Sequence, residues 1–202
     1  MQKFLIGIDE AGRAPLAGPV SVGFARVPLG FDVAREFKGV KDSKQLSEKQ
    51  REEIYAELLR REKLGDVQFV VRFSDHLYID THGITKAVKR AIMSGVRALA
   101  PDPQIVSIKL DGLLYAPSQY AQETIIRGDD LEPVISLASI AAKVERDRLM
   151  KRLAKRYPQY GFEKHKGYPT KAHYAAINIY GLCEVHRRSF CKIDTAVSST
   201  VG

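Results

Sequence analysis

Acidic side chains stand where three apolar segments of this 202-residue chain end. Asp9 and Glu10 follow the segment KFLIGI, Asp111 follows IVSIKL, and Asp129, with Asp130 beside it, follows QETIIRG. If these segments are neighbouring strands of one α/β sheet, the carboxylates converge, and such a cluster is unfavourable unless it holds cations. Hard oxygen ligands select Mg²⁺ or Mn²⁺ over zinc.

The chemistry that such a cluster supports is phosphodiester cleavage. Two ions about 3.5–4 Å apart activate a water and stabilise the leaving oxygen in many enzymes of this class. Each acid taken alone has another explanation, because an acid after a strand is often a turn or N-cap residue. Asp9 and Glu10 carry a further constraint. Neighbours on a strand point to opposite faces, so both reach one site only if the chain bends there.

The positive charge of the chain is concentrated in its last third. The net charge is +8, and residues 143–192 contain 13 lysines and arginines against four acids, a net of +9, which leaves −1 for the rest. Tyrosines and phenylalanines are interleaved with these cations. This combination favours a surface for nucleic acid, where cations meet phosphates and rings meet bases. The alternative is a solvated helix face with tyrosines in the core.

Several classes of protein are excluded by composition. The longest apolar runs fall far short of the roughly 18 residues that span a bilayer, so we expect no membrane segment. The first residues reach Asp9 too soon for the apolar core of a signal peptide. Two cysteines, Cys183 and Cys191, provide no disulfide framework and indicate free thiols in a reducing cytoplasm.

The hydrophobic pattern predicts one compact α/β domain over residues 1–202 with a C-terminal helical extension. The predicted strands are residues 3–9, 20–27, 67–73, 105–110 and 122–127, the first two forming a hairpin. The predicted helices run from the Ser47 cap to about Lys63, from about Thr81 to Leu99, from Pro133 to Arg156, and near residues 170–180. The basic residues 143–192 are expected to form a mostly helical substrate-binding part.

Seven segments of the chain then resemble one family. In chain order they are IDEAGRAPLAGPV (8–20), DSKQL (42–46), LDG (110–112), RGD (127–129), ASIAAKVERD (138–147), HKGY (165–168) and HRRSF (186–190). They resemble the motifs of bacterial ribonuclease HII, in the order of that family and over nearly the whole chain. The resemblance implies a ribonuclease H-like fold, a mixed central sheet flanked by helices. It also implies hydrolysis of the RNA strand of RNA–DNA hybrids and nicking of duplex DNA on the 5′ side of a single embedded ribonucleotide, leaving 3′-hydroxyl and 5′-phosphate ends.

The resemblance also assigns roles to residues. Asp9, Glu10, Asp111 and Asp129 would hold the catalytic Mg²⁺ or Mn²⁺ ions, two in the expected mechanism. The loop formed by Gly12, Arg13 and Ala14 would sense the ribose 2′-hydroxyl, and Tyr168 would stack at the RNA–DNA junction. From charge and position, our candidates for contacts to phosphate are Lys143, Arg146, Lys164 and Lys166, with Ser43 and Lys44 in a loop that reaches the backbone of the substrate.

Two positions depart from the family pattern. The sensing loop of the family usually reads Gly-Arg-Gly, and here its third residue is Ala14. Alanine disfavours positive φ, so we predict that the loop survives if φ is negative there and that substrate preference shifts. The family commonly has asparagine where this chain has Gly83, which predicts a local change at a helix start and the loss of one substrate contact.

Alternatives to the nuclease remain at this stage. A catalytically weak or inactive hybrid-binding relative would explain the basic segment but not four intact acids. The related ribonuclease HIII type is disfavoured because no extra substrate-binding domain precedes the Asp9 strand. We expect a monomer whose partners are RNA–DNA hybrid and ribonucleotide-containing duplex. Residues 196–202 show no aromatic motif for docking to a sliding clamp.

Overall fold

The computed structural model describes residues 3–40, 43–100 and 102–191, and its centre is a five-stranded mixed sheet. The strands are β1 (Phe4–Ala11), β2 (Val20–Pro28), β3 (Gln68–Ser74), β4 (Val106–Asp111) and β5 (Ala121–Ile125). They lie in the order β3-β2-β1-β4-β5. The predicted β1–β2 hairpin is confirmed, and β3 extends it as a further antiparallel strand.

The parallel half of the sheet determines where chemistry gathers. β4 lies parallel to both β1 and β5, with Ile8 opposite Leu110 and Asp111 opposite Ile125. Because parallel strands end at the same edge, the last residues of β1 and β4 lie side by side. The acids near the ends of these two strands, Asp9 and Asp111, are therefore brought together by sheet register.

Helices cover both faces of the sheet. They are α1 (Val33–Glu36), α2 (Glu48–Leu64), α3 (His76–His82), α4 (Ile84–Leu99), α5 (Gly128–Leu131), α6 (Pro133–Arg156), α7 (Phe162–His165) and α8 (Lys171–Tyr180). One face packs its apolar side chains against α4, and the other packs against α2 and α6. Helix α6 lies close because the sheet presents glycines to it. A Cβ on Gly7 or Gly23 would stand 2.1 Å from a carbonyl oxygen of α6.

Local signals account for most helix ends. Ser47 and Gln50 form the predicted capping box of α2, and Gly65 ends that helix with φ 82°. Pro133 is the first residue of α6, which reaches Arg156 as predicted. The helix predicted from Thr81 to Leu99 is wrong at its start, because two helices, α3 and α4, meet at Gly83. That glycine has φ 83° and ψ 158°, a conformation open almost only to glycine, so the helical path breaks there.

The C-terminal extension packs on the second half of α6 and on the segment after β1. Helices α7 and α8 share an apolar cluster with Met150 and Ala154 of α6 and with Leu16 and Ala17. The Leu16 amide donates to the carbonyl of Gly167 at 2.8 Å, and the Gly18 amide donates to that of Val185 at 2.9 Å. The extension therefore holds the loop after β1. Within the described residues, no helix is long and apolar enough to cross a membrane.

Candidate active site

Three of the four predicted acids meet at one edge of the sheet. Asp9 of β1, Asp111 at the end of β4 and Asp129 each present an oxygen, and these oxygens lie within 4.8 Å of one another. Asp9 and Asp129 are buried, and Asp111 is partly exposed. Three carboxylates this close repel one another unless a cation lies between them.

Asp129 reaches the cluster by a different route from the predicted one. The strand predicted over residues 122–127 ends at Ile125, and Asp129 lies in the first turn of α5. Arg127 makes the turn between them with φ 57°. Asp130, the next acid, faces away from the cluster and accepts from the side chains of Arg127 and Gln45.

Hydrogen bonds fix the orientation of the clustered carboxylates. Asp9 Oδ1 accepts from the Glu10 amide at 2.7 Å, and Asp9 also receives a hydrogen bond from the Ser139 side chain. The Ser139 hydroxyl is in turn 2.8 Å from that of Ser43. Asp111 Oδ1 accepts from the amide of Gly128 at 2.7 Å. These contacts leave further oxygens for a ligand.

The electrostatics of the acidic cluster favour the binding of a cation. Burial raises the pKa of Asp9 well above its usual range, and the neighbouring charges of Glu10 and Asp111 raise it further. Burial also raises the pKa of Asp111, with the charge of Asp129 adding to the effect. Lys44 already supplies one cation, because its Nζ lies 3.0 Å from Asp129 Oδ2.

Glu10 stands beside the three aspartates. Strand β1 remains regular through Ala11, so no bend turns the side chains of Asp9 and Glu10 to one face. Glu10 nevertheless comes close to the cluster, since burial raises the pKa of Glu10 and the charge of Asp111 raises it further. Glu10 Oε2 is buried, and no hydrogen bond to it is found among the described residues. Its other oxygen is 3.4 Å from Arg13 Nη1. A groove of about 860 Å³ opens beside Glu10 and Asp111, between α4 and residues 112–119.

These residues fit divalent metal ions. The donor set is entirely oxygen, its carboxylates repel one another, and no described residue donates a hydrogen bond to the buried Glu10 oxygen. Mg²⁺ and Mn²⁺ prefer such ligands. The three aspartates and Glu10 would hold such an ion, and it would supply an activated water for attack on a phosphodiester.

Two buried arginines support the loop that follows β1. Arg187 donates from Nε to the carbonyl of Gly18 and from its terminal nitrogens to those of Arg13 and Gly12, at 2.7–2.8 Å. Arg146 donates to the carbonyls of Pro19, Ala17 and Lys166 at 2.9–3.3 Å. Both side chains are fully buried. Together they hold the backbone of residues 12–19 from below with five hydrogen bonds, and the sixth goes to Lys166.

The sensing loop has the backbone that its sequence allows. Gly12 has φ 89°, and a Cβ there would lie 2.0 Å from Arg146 Nε, so only glycine fits. Among the described non-glycine residues, positive φ occurs at Arg127 and Lys166, and Ala14 therefore has negative φ. A negative φ at Ala14 is the condition under which we predict that the loop keeps its conformation. Arg13 and Ala14 are exposed.

The predicted phosphate contacts separate into surface and interior residues. Lys44 and Lys164 are exposed, and Lys143 is partly exposed and bonds to Asp147 at 2.8 Å. Arg146 and Lys166, in contrast, have side chains that lie inside the fold. Arg146 is used on backbone carbonyls, and Lys166 Nζ donates to the carbonyl of Glu163.

Ser43 also lies inside, since its hydroxyl contacts Ser139 beneath Asp9. Asp42, which begins the DSKQL segment, lies outside the described residues. Tyr168 is half-buried, with the charged ends of Arg146 and Lys143 at 5.8 and 6.0 Å from its ring centre. Its ring therefore lies next to α6 and to the loop held by Arg146.

Residue-by-residue reasoning missed two groups that shape the site. Ser139 and Arg187 both lie within segments that resemble the family, ASIAAKVERD and HRRSF, but neither was a candidate. Asp9, which Ser139 contacts, lies 130 positions earlier in the chain. Gly18, which Arg187 contacts, lies 169 positions earlier. Local spacing carries no signal for such contacts.

The sequence and the fold both have close matches among known proteins. Residues 6–193 match the family described as Ribonuclease HII. Ribonuclease HII of Ruminiclostridium cellulolyticum is 41% identical over 192 residues, which are 94% of this chain and 70% of the relative.

Among solved structures, ribonuclease H2 from Pyrococcus horikoshii matches with a TM-score of 0.73 at 26% identity, over 92% of this chain and 93% of that one. A chain from the PCNA:RNase HII complex of Archaeoglobus fulgidus matches with a TM-score of 0.74 over 96% of this chain and 98% of that one. At 22% identity this second likeness shows the fold alone. The predicted ribonuclease H-like fold is confirmed.

Proposed function

This chain belongs to the ribonuclease HII family, and from that premise we propose the reaction and the residues that perform it. The protein is a metal-dependent endoribonuclease. It hydrolyses the RNA strand of RNA–DNA hybrids and nicks duplex DNA on the 5′ side of a single embedded ribonucleotide, leaving 3′-hydroxyl and 5′-phosphate ends. The observation that carries the proposal is the convergence of Asp9, Asp111 and Asp129 within 4.8 Å.

We assign the metal site to these three aspartates together with Glu10. The buried Oε2 of Glu10, to which no residue in the described ranges donates, supports its inclusion. Mg²⁺ or Mn²⁺ bound here would activate water and stabilise the leaving oxygen. The protein contributes orientation, because Ser139 and the Gly128 amide hold Asp9 and Asp111 in place before substrate arrives.

Recognition of the ribonucleotide is assigned to the loop of Gly12, Arg13 and Ala14 and to Tyr168. The 2′-hydroxyl distinguishes RNA from DNA, and a loop that directly follows the β1 acids is near enough to read it at the scissile position. Arg187 supports this assignment by binding the carbonyls of Gly12 and Arg13 from the interior. The loop is therefore rigid before substrate binds. Tyr168 offers a partly exposed ring for stacking at the junction.

The duplex would lie across the basic part of the single domain, residues 143–192. We assign phosphate contacts to Lys143, Lys164 and Lys44, and a supporting role to Arg146 and Lys166. Exposure of Lys164 and Lys44 supports this division. On the free thiols of Cys183 and Cys191 we propose a reducing cytoplasm as the compartment.

The monomeric state and the absence of a clamp-docking motif remain proposals from sequence. The proposed absence of a motif concerns residues 196–202, which lie outside the described residues. The likeness to the Archaeoglobus fulgidus chain, which was solved with PCNA, concerns the fold and leaves this proposal untouched. Gel filtration with and without a sliding clamp tests both proposals.

A nicking assay tests the proposed function. A labelled duplex with one ribonucleotide is incubated with the protein and with Mg²⁺ or Mn²⁺, beside an all-DNA duplex and a continuous hybrid. We expect a single nick on the 5′ side of the ribonucleotide and none in the all-DNA duplex. Binding without a nick at any metal concentration would favour a hybrid-binding module instead.

A further inference from the structure

Three buried histidines lie behind Tyr168, in a part of the fold to which the proposed mechanism assigns no role. His173 of α8 and His186 are almost completely buried, and His165 of α7 is partly buried. The rings of His165 and His173 stack with centres 4.5 Å apart. The His173 and His186 rings meet edge to edge, with 3.1 Å between their Nε2 atoms.

Hydrogen bonding determines the protonation of each ring. The Cys183 amide donates to His186 Nδ1 at 2.9 Å, so that nitrogen carries no proton. His186 is then the Nε2–H tautomer and donates to His173 Nε2. His173 must carry its proton on Nδ1, which donates to the carbonyl of Tyr168 at 2.9 Å. This placement of protons satisfies all three hydrogen bonds, and it requires the imidazole rings of His173 and His186 to be neutral.

His165 holds the adjacent peptide in the same manner. The Gly167 amide donates to His165 Nδ1 at 3.2 Å, and His165 Nε2 donates to the carbonyl of Tyr160 at 2.7 Å. The carbonyl of Gly167 accepts from the Leu16 amide, in the segment that follows β1, at 2.8 Å. The histidines therefore hold the Gly167–Tyr168 backbone from the interior, and Gly167 is bonded directly to that segment.

We propose that three neutral imidazole rings position Tyr168 for substrate through their hydrogen bonds. We call this group, formed by His186, His173 and His165, the relay. They are positioning residues, since none of them needs to touch nucleic acid. The inference rests on the proposed role of Tyr168 and adds to it the residues that set the place of its ring. Without the bond from His173, the one donor to the Tyr168 carbonyl that remains within the described part of the chain is the amide of Thr170 at 2.8 Å.

The surroundings of the relay keep it neutral. Burial lowers the pKa of His173 and lowers that of His186 to about 4. The titratable groups that face the two rings are Tyr160, His165, Cys183 and, through its charge, His76. Cys183 Sγ is 3.1 Å from His186 Nδ1, and burial raises the pKa of this thiol, so it stays protonated and offers no counter-charge. A protonated imidazole would place a donor against a donor and break the relay.

Kinetics on the one-ribonucleotide duplex test the relay through a double-mutant cycle. His173→Leu should raise KM about fivefold, the effect of one lost hydrogen bond, with kcat within about twofold. His173→Asn, whose amide nitrogen replaces Nδ1, should restore KM to within about twofold of the wild type. Tyr168→Ala should raise KM about tenfold, and His173→Leu should add nothing further in that background. His82→Gln is the control for loss of an exposed histidine.

The result that overturns the relay is an equal rise in KM from His173→Leu with and without the Tyr168 ring, or no rise at all. Imidazole ¹⁵N NMR of the wild-type protein near neutral pH provides a second test that needs neither a variant nor a substrate. It should find His173 as the neutral Nδ1–H tautomer and His186 as the neutral Nε2–H tautomer. The opposite tautomers would refute the relay, whereas a wild type that fails to nick would refute only the proposed function.

Discussion

Gly12 provides a quantitative test of how the sensing loop is held. In Gly12→Ala the new Cβ would lie 2.0 Å from Arg146 Nε and 2.5 Å from its Cδ. An ordinary contact needs about 3.5 Å, so Arg146 must move by roughly 1.5 Å. That shift breaks its bond to the Pro19 carbonyl at 2.9 Å and disturbs those to Ala17 and Lys166.

The expected cost has two parts. An alanine at φ 89° carries about 1–3 kcal/mol of backbone strain. Loss of a hydrogen bond from a charged donor adds about 1.5–3 kcal/mol. We therefore expect Gly12→Ala to lower the free energy of unfolding by about 2.5–6 kcal/mol, a large share of the roughly 5–15 kcal/mol of a typical domain.

The substitution Gly65→Ala separates the cost of backbone strain from the cost of the lost hydrogen bond. Gly65 has φ 82°, almost the value at Gly12, but a Cβ there would meet nothing within 4 Å. Urea unfolding of the wild type and both variants should show that Gly65→Ala costs the strain alone and Gly12→Ala costs about 2 kcal/mol more. In an Arg146→Ala background the excess should disappear, because the methyl group then has room. An equal cost for the two glycine substitutions would show that the contact between Gly12 and Arg146 does not constrain the loop.

Three other substitutions test the site and its support. Asp9→Asn or Asp111→Asn should reduce cleavage by about 10³-fold with duplex binding nearly intact, since metal ions supply several kcal/mol of transition-state stabilisation; normal cutting by either variant would refute the metal assignment. Ala14→Gly should lower stability by about 0.4–1 kcal/mol, because φ is already negative there, and should shift the ratio of rates on single-ribonucleotide and continuous-hybrid substrates. Identical rates and selectivity would show that the methyl group has no influence. His186→Gln removes a group whose pKa falls from 6.5 to about 4 on folding. Between these pH values the unfolded state binds the proton, so wild-type stability falls as the solution is acidified, and the unfolding free energy of the variant should depend less steeply on pH over this range.

Sequence reasoning succeeded where a prediction depends on a single helix or strand, or on the register of one pair of strands. Ser47, Gln50 and Gly65 are local signals for the ends of α2, and the structure has them in those roles. The convergence of Asp9 and Asp111 follows from the parallel pairing of two apolar strands. Both inferences need only a few neighbouring residues and the geometry of regular elements.

The helix break at Gly83 shows why element boundaries were harder to predict. The residues on both sides favour helix, so the apolar pattern predicts one helix where two occur. The break rests on a backbone conformation with φ 83° and ψ 158°, which glycine permits but does not require. The first residues of α3 are capped by Asp75, whose side chain accepts from the Tyr78 amide. Aspartate is a frequent cap, but nothing local shows that a separate helix begins at that position.

The positive charge of residues 143–192 illustrates the larger limit of sequence reasoning. Arg146, Lys166 and Arg187 contribute to the net charge of +9, but all three are buried and donate to backbone carbonyls. Lys151 and Arg156 are exposed but lie against acids, Glu48 and Glu184. Fewer of these cations are therefore exposed and away from acids than the net charge suggests.

This difference has a physical origin. A carbonyl oxygen accepts from arginine without removing its charge, so a buried guanidinium leaves the net charge of the chain unchanged while holding a loop in place. Charge in a sequence measures how many cations exist, and contacts decide whether each one binds phosphate or orders backbone. In this fold Arg187 and Arg146 order the loop beside the acidic cluster. Part of the basic signal that suggests nucleic-acid binding thus comes from arginines that order this loop from the interior.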